Sequence, residues 1–263
     1  MDNVGSQAQL VEPPVVTFDA GQTLIDLDLE FLARRLAERG VTIGPPTLAA
    51  AAPAAWQRYD QLVDRTGADP HPAGKAGGIP TPRDVASLIG PAGGHPWRGL
   101  MATLLEGAGV TATQVGPLVD WLWDEQPRVN LWRAQVPGMV PLARELVARG
   151  VRVAVLSNSE GRLAELLAEI GIADVFAAVI DSGRLAIEKP DRRIFDHALA
   201  VLGAHRPGIH IGDSWPADIA GALGAGWRAI WFGRRATPVD DPRVAIARDA
   251  AEVRAVLAGW LDR

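Results

Sequence analysis

Short runs of apolar, often β-branched residues recur along the chain and alternate with segments of helical spacing. The runs predict buried strands over Val15–Phe18, Val151–Leu156, Ala177–Ile180, Ile209–Ile211 and Ala229–Phe232. The segments between and after them predict helices over Pro141–Arg149, Arg162–Ile170, Arg192–Leu202, Pro216–Leu223 and Ala250–Leu261. Strands that alternate with helices of this length indicate an α/β fold built on a doubly wound parallel sheet.

The stretch between the first two strands has a different pattern. Its apolar residues predict helices over Leu29–Arg39, Thr47–Arg65, Trp97–Glu106 and Thr113–Trp123, and strand signals are nearly absent. Residues 67–82 are rich in Gly and Pro, which predicts a loop that contains His71 and Lys75. We therefore expect residues 1–24 and 136–263 to form an α/β core domain, and residues 25–135 to form a helical cap domain beside it.

The composition is typical of a globular protein and excludes several kinds of site. The 263 residues are 48% hydrophobic and contain no cysteine, so disulfides, thiolate metal ligands and a cysteine nucleophile are ruled out. The charges are mixed in sign, with a net charge of -5, and no basic stripe follows a nucleic-acid backbone. No apolar run reaches the ~18 residues that span a bilayer, and the first fourteen residues lack the regions of a signal peptide. We expect a cytoplasmic protein with no nucleic-acid or membrane partner, and its oligomeric state cannot be read from the sequence.

Polar side chains that can do chemistry follow the predicted strands. In open α/β sheets ligands bind at the carboxyl ends of the strands. Asp19 follows the first strand, where a carboxylate can attack phosphorus or carbon. Ser157 and Asn158 follow the second, where a hydroxyl and neighbouring amide groups at the start of a helix suit a phosphate oxygen. Taken singly, each of these residues is also a common turn or helix-cap residue.

A lysine and two further acids extend this set. Only Lys75 and Lys189 are lysines among the 26 Lys and Arg residues, and Lys189 precedes Pro190 and a predicted helix. Its charge can neutralise a phosphate and keep a neighbouring carboxylate ionised. Asp213 ends the fourth strand and Asp218 lies in the first turn of the next helix, a spacing at which two acids can hold a hard cation.

In chain order these residues form the series Asp-x-x-x-Thr, Ser-Asn, Lys-Pro and Gly-Asp-x-x-x-x-Asp. The series resembles the four motifs of the haloacid dehalogenase superfamily. The resemblance covers the expected core, residues 1–24 and 136–263, and covers the cap only in placement and helical character. It implies a Rossmann-like core and a Mg²⁺-dependent hydrolase, a phosphatase that acts on a small phosphorylated metabolite through an aspartyl-phosphate intermediate.

The resemblance also implies a role for each residue of the first three motifs. Asp19 would be the nucleophile and a Mg²⁺ ligand. Ser157 and Asn158 would hold phosphate oxygens, and Lys189 would pair with both the phosphate and Asp19. Such a site works by positioning and charge neutralisation during phosphoryl transfer.

The metal ligands and one departure from the family pattern lie in the first and last motifs. Asp213 would bind Mg²⁺, Asp218 would ligate or buttress it, and Gly21 would contribute its backbone carbonyl. Phosphatases of this family normally read Asp-x-Asp-Gly-Thr in the first motif, but here the third residue is Gly21 and the fourth is Gln22. The missing acid protonates the leaving group and activates water in the family, and such assistance is typically worth ~10²–10⁴ in rate.

Three explanations for the missing acid stay open. The leaving group needs no proton, as with an acyl phosphate; or a cap residue such as His71 replaces the acid; or the protein is a slow or inactive relative that binds a phosphorylated ligand.

Three other functions compete with the phosphatase. Carbon–halogen hydrolases of the superfamily also lack the second acid, but they need no metal, whereas Asp213 and Asp218 keep the metal-binding arrangement. Phosphonate cleavage would use a cap lysine, for which Lys75 is the candidate. A non-catalytic binding protein has no use for a nucleophile such as Asp19.

Overall fold

The apolar runs form strands that are buried on both faces, because helices cover the sheet from either side. The computed structural model describes residues 12–66 and 95–261. In chain order the strands of this part are β1 (Val15–Phe18), β2 (Ile25–Leu27), β3 (Trp132–Gln135), β4 (Arg152–Ser157), β5 (Ala178–Asp181), β6 (Ile209–Gly212), β7 (Arg228–Phe232) and β8 (Val244–Ala247). Six of them form one parallel sheet in the order β5-β4-β1-β6-β7-β8, which confirms the predicted fold class.

The helices of the described residues include all those that the sequence predicts. They are α1 (Leu29–Ala37), α2 (Pro45–Thr66), α3 (Pro96–Gly107), α4 (Ala112–Glu125), α5 (Met139–Ala148), α6 (Leu163–Glu169), α7 (Ser182–Leu185), α8 (Arg192–Leu202), α9 (Ala220–Gly224) and α10 (Ala250–Leu261). A 3₁₀ turn covers Ala173–Val175, and a π-helical turn covers Trp215–Ile219. The helix predicted over Pro216–Leu223 is thus divided into a π-helical turn and α9.

The alternation of side chains along each strand divides the core into two apolar layers. Val16 and Phe18 of β1 pack on one face, in a cluster with buried residues of α5, α6 and α10. Val15 points to the other face, in a cluster with buried residues of α8 and α9. The C-terminal helix α10 packs back onto the sheet, as its apolar pattern predicts.

Strand β1 lies at the point where the order of strands reverses. It pairs with β4 on one side and β6 on the other, and Phe18 is in register with Val155 and with Ile211. The residues that follow these three strands therefore meet at one edge of the sheet, where doubly wound folds bind their ligands.

Two short strands connect the sheet to the helical segment, where the sequence indicated almost no strand. β2 and β3 form an antiparallel pair with an irregularity between Asp26 and Leu27. Beside this ribbon the main-chain N–H of Asp28 donates to the carbonyl of Leu131 at 2.9 Å. Both strands are short and mix polar with apolar residues, so no apolar run marks them in the sequence. The half-buried edge strand β8 was also missed, although Val244–Ala247 is an apolar run.

Helices α1 to α4 fill the part of the helical segment that the structure describes. Leu32, Leu36, Leu48, Met101 and Leu104 are fully buried there and continue the apolar cluster of one sheet face. His71 and Lys75 lie outside the described residues, and the division into core and cap domains stays a prediction. Of the described helices, none has the length and apolar character that crossing a membrane requires.

Burial of α10 against the sheet is open to a direct test. Val253 is 0% exposed on this helix, whereas Val201 on α8 is 50% exposed. We expect Val253→Ala to lower the free energy of unfolding by about 2 kcal/mol, because two methyl groups leave the core. The matched change Val201→Ala should stay within about 0.5 kcal/mol. Denaturant unfolding of both variants measures the difference, and equal losses would show that α10 is not docked as described.

Candidate active site

Asp19 follows β1 directly and is held by both neighbouring strands. Its side chain is 4% exposed, and its main-chain N–H donates to the carbonyl of Ile211 at 2.8 Å. Oδ1 accepts hydrogen bonds from Ser157 Oγ at 2.9 Å and from Lys189 Nζ at 2.7 Å. Both side-chain donors bind Oδ1. Among the described residues, Oδ2 has no hydrogen-bond partner. The carboxylate is oriented through one oxygen, and the other is left for a ligand or a reaction.

Lys189 is a buried ammonium group that lies between two carboxylates. Its side chain is 1% exposed, and Nζ donates to Asp19 Oδ1, to Asp218 Oδ1 and to the carbonyl of Leu156 at 2.9 Å. Burial alone would lower the pKa of Lys189, but the charges of Asp19 and Asp218 outweigh it and raise the pKa above its ordinary value. The group is therefore a fixed positive charge at neutral pH.

Asn158 fixes the main chain of Lys189. Its Nδ2 donates to the Lys189 carbonyl at 2.9 Å, and its Oδ1 accepts from the Lys189 main-chain N–H at 2.8 Å. The resemblance implies that Asn158 holds a phosphate oxygen, but both polar atoms of its side chain are engaged with the main chain of Lys189. What this residue can still offer a ligand is its main-chain N–H.

Asp218 is a buried acceptor with three donors around it. Oδ1 accepts from Lys189 Nζ and from His210 Nε2 at 3.0 Å, and Oδ2 accepts from the Ser214 main-chain N–H at 2.9 Å. Burial would raise the pKa of Asp218, but Lys189 and the hydrogen bond from His210 hold it well below its usual range. This carboxylate stays ionised and is held firmly in place.

The π-helical turn sets the position of Asp218. Ser214 caps the turn through its hydroxyl, which accepts from the Ala217 main-chain N–H at 3.4 Å. The Asp218 carboxylate accepts a hydrogen bond from the Ser214 main-chain N–H. This contact resembles a capping box, but the acid lies four residues after the capping serine and not three. Single π-turns are common at functional sites, because the extra residue redirects one side chain.

Asp19, Asp213 and Asp218 form an acidic cluster that could hold a metal ion. Each offers a carboxylate oxygen within 4.8 Å of the others. Trp231 Nε1 donates to the Asp213 carbonyl at 3.0 Å and fixes the main chain at that corner. Lys189 contributes one positive charge beside the carboxylates of Asp19 and Asp218. A divalent cation with oxygen ligands fits this donor set in both charge and chemistry.

The turn after Asp19 carries no acid and is tied to the helical segment. Gln22, which follows the buried Gly21, has a φ of 55° and so adopts the left-handed conformation that non-glycine residues seldom adopt. Its Oε1 accepts from Arg234 NH1 at 2.8 Å. The same guanidinium pairs with Asp60 of α2 at 2.7 Å and stacks over Trp56 at 4.4 Å from the ring centroid. One arginine thus joins the turn after Asp19 to α2.

Two buried polar residues of the site were missed by the sequence analysis. Asp181, at the end of β5, accepts from the main-chain N–H groups of Gly161, Leu163 and Gly183 at 3.0–3.1 Å and orders the loop after β4. His210 lies inside β6 and is 0% exposed. A histidine within an otherwise apolar strand was the available signal, since burying a polar group is costly unless it is hydrogen-bonded.

The structure brings the predicted site residues together at one edge of the sheet. A small cleft is lined by Asp19, Asn158, Lys189, Asp213, Ser214, Ala217 and Asp218. Ser157 reaches the same place through its hydrogen bond to Asp19. The arrangement combines an oriented carboxylate, a fixed positive charge and a cation-binding corner, which suits the handling of an anionic group.

Comparisons with known proteins agree with this chemistry. A family model described as haloacid dehalogenase-like hydrolase matches residues 14–226. Haloacid dehalogenase-like hydrolase domain-containing protein 3 of Bos taurus is 33% identical over 136 residues, which are 51% of this chain and 54% of that protein. The phosphoserine phosphatase of Thermus thermophilus is 32% identical over 154 residues, 58% of this chain and 60% of that enzyme. The match thus spans little more than half the length of these curated relatives.

The comparisons also include a dehalogenase and a metal-bound structure. The (S)-2-haloacid dehalogenase of Pseudomonas sp. (strain YL) is 28% identical over 115 residues, 43% of this chain and 50% of that enzyme. Among solved structures, the HAD-hydrolase YfnB of Bacillus subtilis bound to magnesium superposes with a TM-score of 0.60 at 18% identity. It covers 94% of this chain and 99% of its own, and at this identity it supports the fold alone.

The close approach of β6 to Asp218 predicts a strong effect at Gly212. A Cβ atom added to Gly212 would overlap the carboxyl group of Asp218, which three hydrogen bonds hold in place. We expect Gly212→Ala to destabilise the protein by about 1–3 kcal/mol, the usual cost of overpacking. The control Gly224→Ala has open space around its Cβ and a helical backbone, so it should be neutral or slightly stabilising. Thermal unfolding compares the two, and a neutral Gly212→Ala would mean that Asp218 is not fixed as described.

Proposed function

The chain belongs to the haloacid dehalogenase-like hydrolases, and we propose that it is a Mg²⁺-dependent phosphatase acting on a small phosphorylated molecule. The observation that carries the proposal is the acidic cluster of Asp19, Asp213 and Asp218, whose carboxylate oxygens lie within 4.8 Å of one another beside the ammonium of Lys189. Carboxylate oxygens that converge in this way are the ligands a hard divalent cation prefers. The named phosphoserine phosphatase relative supports the same class of substrate.

The ion would be held by Asp19 and Asp213, with the backbone carbonyl of Gly21 as a further ligand. Asp218 would act mainly as a buttress, because its two oxygens already accept from three donors. When bound, Mg²⁺ screens the repulsion between the attacking carboxylate and the anionic phosphate.

Asp19 would be the nucleophile of a two-step reaction. Its Oδ2, which has no hydrogen-bond partner among the described residues, attacks phosphorus, and the bond from phosphorus to the leaving oxygen breaks. Lys189 and Ser157 hold Oδ1, so the attacking oxygen keeps a fixed direction. Lys189 also supplies positive charge to the transferring group. Water then attacks the aspartyl-phosphate at phosphorus, which releases inorganic phosphate and restores the carboxylate.

Gly21 bears on the kind of phosphate that is cleaved. No acid stands at this position to give the leaving oxygen a proton, and the adjacent Gln22 side chain is engaged with Arg234. The substrate that best suits such a site has a leaving group that departs as a stable anion, as an acyl phosphate does. Simple alkyl phosphates would be hydrolysed slowly, since the missing proton transfer is typically worth ~10²–10⁴ in rate.

Carbon–halogen hydrolysis is the second candidate, and two observations favour it. Gly21 stands in place of an acid that such enzymes also lack, and a named (S)-2-haloacid dehalogenase is among the relatives. The three converging carboxylates argue for the phosphatase, because they could hold a metal ion and displacing a halide needs none.

Substitution of the nucleophile tests the mechanism. We expect Asp19→Asn to abolish Mg²⁺-dependent release of phosphate from acetyl phosphate, because an amide cannot form the covalent intermediate. Lys189→Met should lower kcat by about 10²-fold or more, as the loss of a preorganised charge typically does. The control Asp196→Asn changes an exposed aspartate on α8 and should leave the rate unchanged. Full turnover by Asp19→Asn would contradict the proposal.

Removal of the metal separates the two candidate reactions. Treatment with EDTA should eliminate phosphate release, and added Mg²⁺ should restore it. A panel of 2-haloacids assayed in the presence of EDTA should give no halide. Halide release under these conditions, with no phosphate release from any ester or acyl phosphate, would favour the dehalogenase instead.

A further inference from the structure

A line of buried hydrogen bonds runs from the middle of the sheet to the nucleophile. Thr17 Oγ1 and His210 Nδ1 are 2.8 Å apart, and His210 Nε2 is 3.0 Å from Asp218 Oδ1. Asp218 Oδ1 in turn accepts from Lys189 Nζ, which lies 2.7 Å from Asp19 Oδ1. Thr17 and His210 are both 0% exposed and directly opposite each other on β1 and β6. Neither residue lines the cleft, so contact with a ligand does not explain this burial of polar groups.

The partners of the imidazole determine its protonation state. The Asp218 carboxylate is only an acceptor, so Nε2 must carry a proton. The Thr17 hydroxyl can donate to Nδ1 as its acceptor, so a ring protonated at Nε2 alone satisfies both of its polar contacts. Thr17 thereby selects the tautomer that can donate to Asp218, much as outer partners fix the tautomer of a metal-bound histidine.

We propose that His210, as its Nε2–H tautomer, is a positioning residue that fixes Asp218 and, through it, the ammonium of Lys189 at the nucleophile. A neutral donor is suited to this task, because it orients the carboxylate without cancelling the charge that Asp218 presents to Lys189. The ring is itself held from the side by Phe195, whose ring centroid lies 5.6 Å away in an edge-to-face contact. The kinetic part of this inference rests on the proposed function.

Kinetics of two substitutions at His210 test the role. His210→Phe removes both nitrogens and should lower kcat about 10- to 100-fold, the usual cost of losing an outer partner, with KM for acetyl phosphate changed less than about threefold. His210→Gln keeps an N–H donor in reach of Asp218 and should recover most of that loss. His205→Phe, at an exposed histidine before β6, serves as the control. Wild-type kcat in a folded His210→Phe, or a His210→Gln as impaired as His210→Phe, would overturn the proposal.

A second measurement does not depend on turnover, and its decisive reading uses the wild-type protein. ¹⁵N-labelled histidine in the full-length wild-type protein reports the tautomer of His210, and we expect the Nε2–H form, shifting toward a mixture of forms in Thr17→Val. The Nδ1–H form in the wild-type protein would overturn the inference. If the wild-type protein hydrolysed no phosphate compound, the proposed function would fail, and the tautomer alone would then decide whether the contact with Asp218 exists.

Discussion

The ammonium of Lys189 lies between the carboxylates of Asp19 and Asp218, out of contact with water, and the rest of the site is arranged around it. Burying three charges is expensive, and an apolar substitute of similar shape would often be as stable. Removal of one partner is worse, typically by 3–5 kcal/mol, because an uncompensated charge is left behind. Two polar neighbours help to compensate the burial of the lysine. The Leu156 carbonyl accepts a further N–H from the ammonium, and Asn158 holds the lysine's main chain. Stability alone does not account for such a cluster, whereas a need for fixed charge at one oxygen of Asp19 does.

Much of the core could be predicted because its strands are buried on both faces. Val15–Phe18 is a strand in the sequence pattern and in the structure alike, and the residues after β1, β4 and β6 meet because parallel strands end at one edge. What could not be predicted depends on partners that are distant in sequence. The ribbon of β2 and β3 is stabilised by pairing across the whole helical segment, and its strands are too short to carry a pattern of their own.

In the site, too, local sequence patterns could be recognised, whereas contacts between residues distant in sequence could not. The sequence could single out Asp19, Lys189, Asp213 and Asp218 because of their order along the chain and their places beside predicted strands and helices, although aspartates are common at such places. The hydrogen bonds between the Asn158 side chain and the main chain of Lys189 could not be predicted, because the two residues are 31 positions apart in the sequence. The pairing of β4 with β5 brings the ends of these strands close together.

The ribbon of β2 and β3 has an implication for how this chain can diverge. It places the two ends of the helical segment side by side. The core therefore adjoins the same pair of strands, whichever helices lie between them. The free energy of closing a loop grows only slowly with its length. Helices can therefore be lengthened, shortened or exchanged on the far side of this junction while the carboxylates and the lysine keep their geometry. Insertions and deletions in the helical segment should therefore be tolerated better than changes of the same size within the six-stranded sheet.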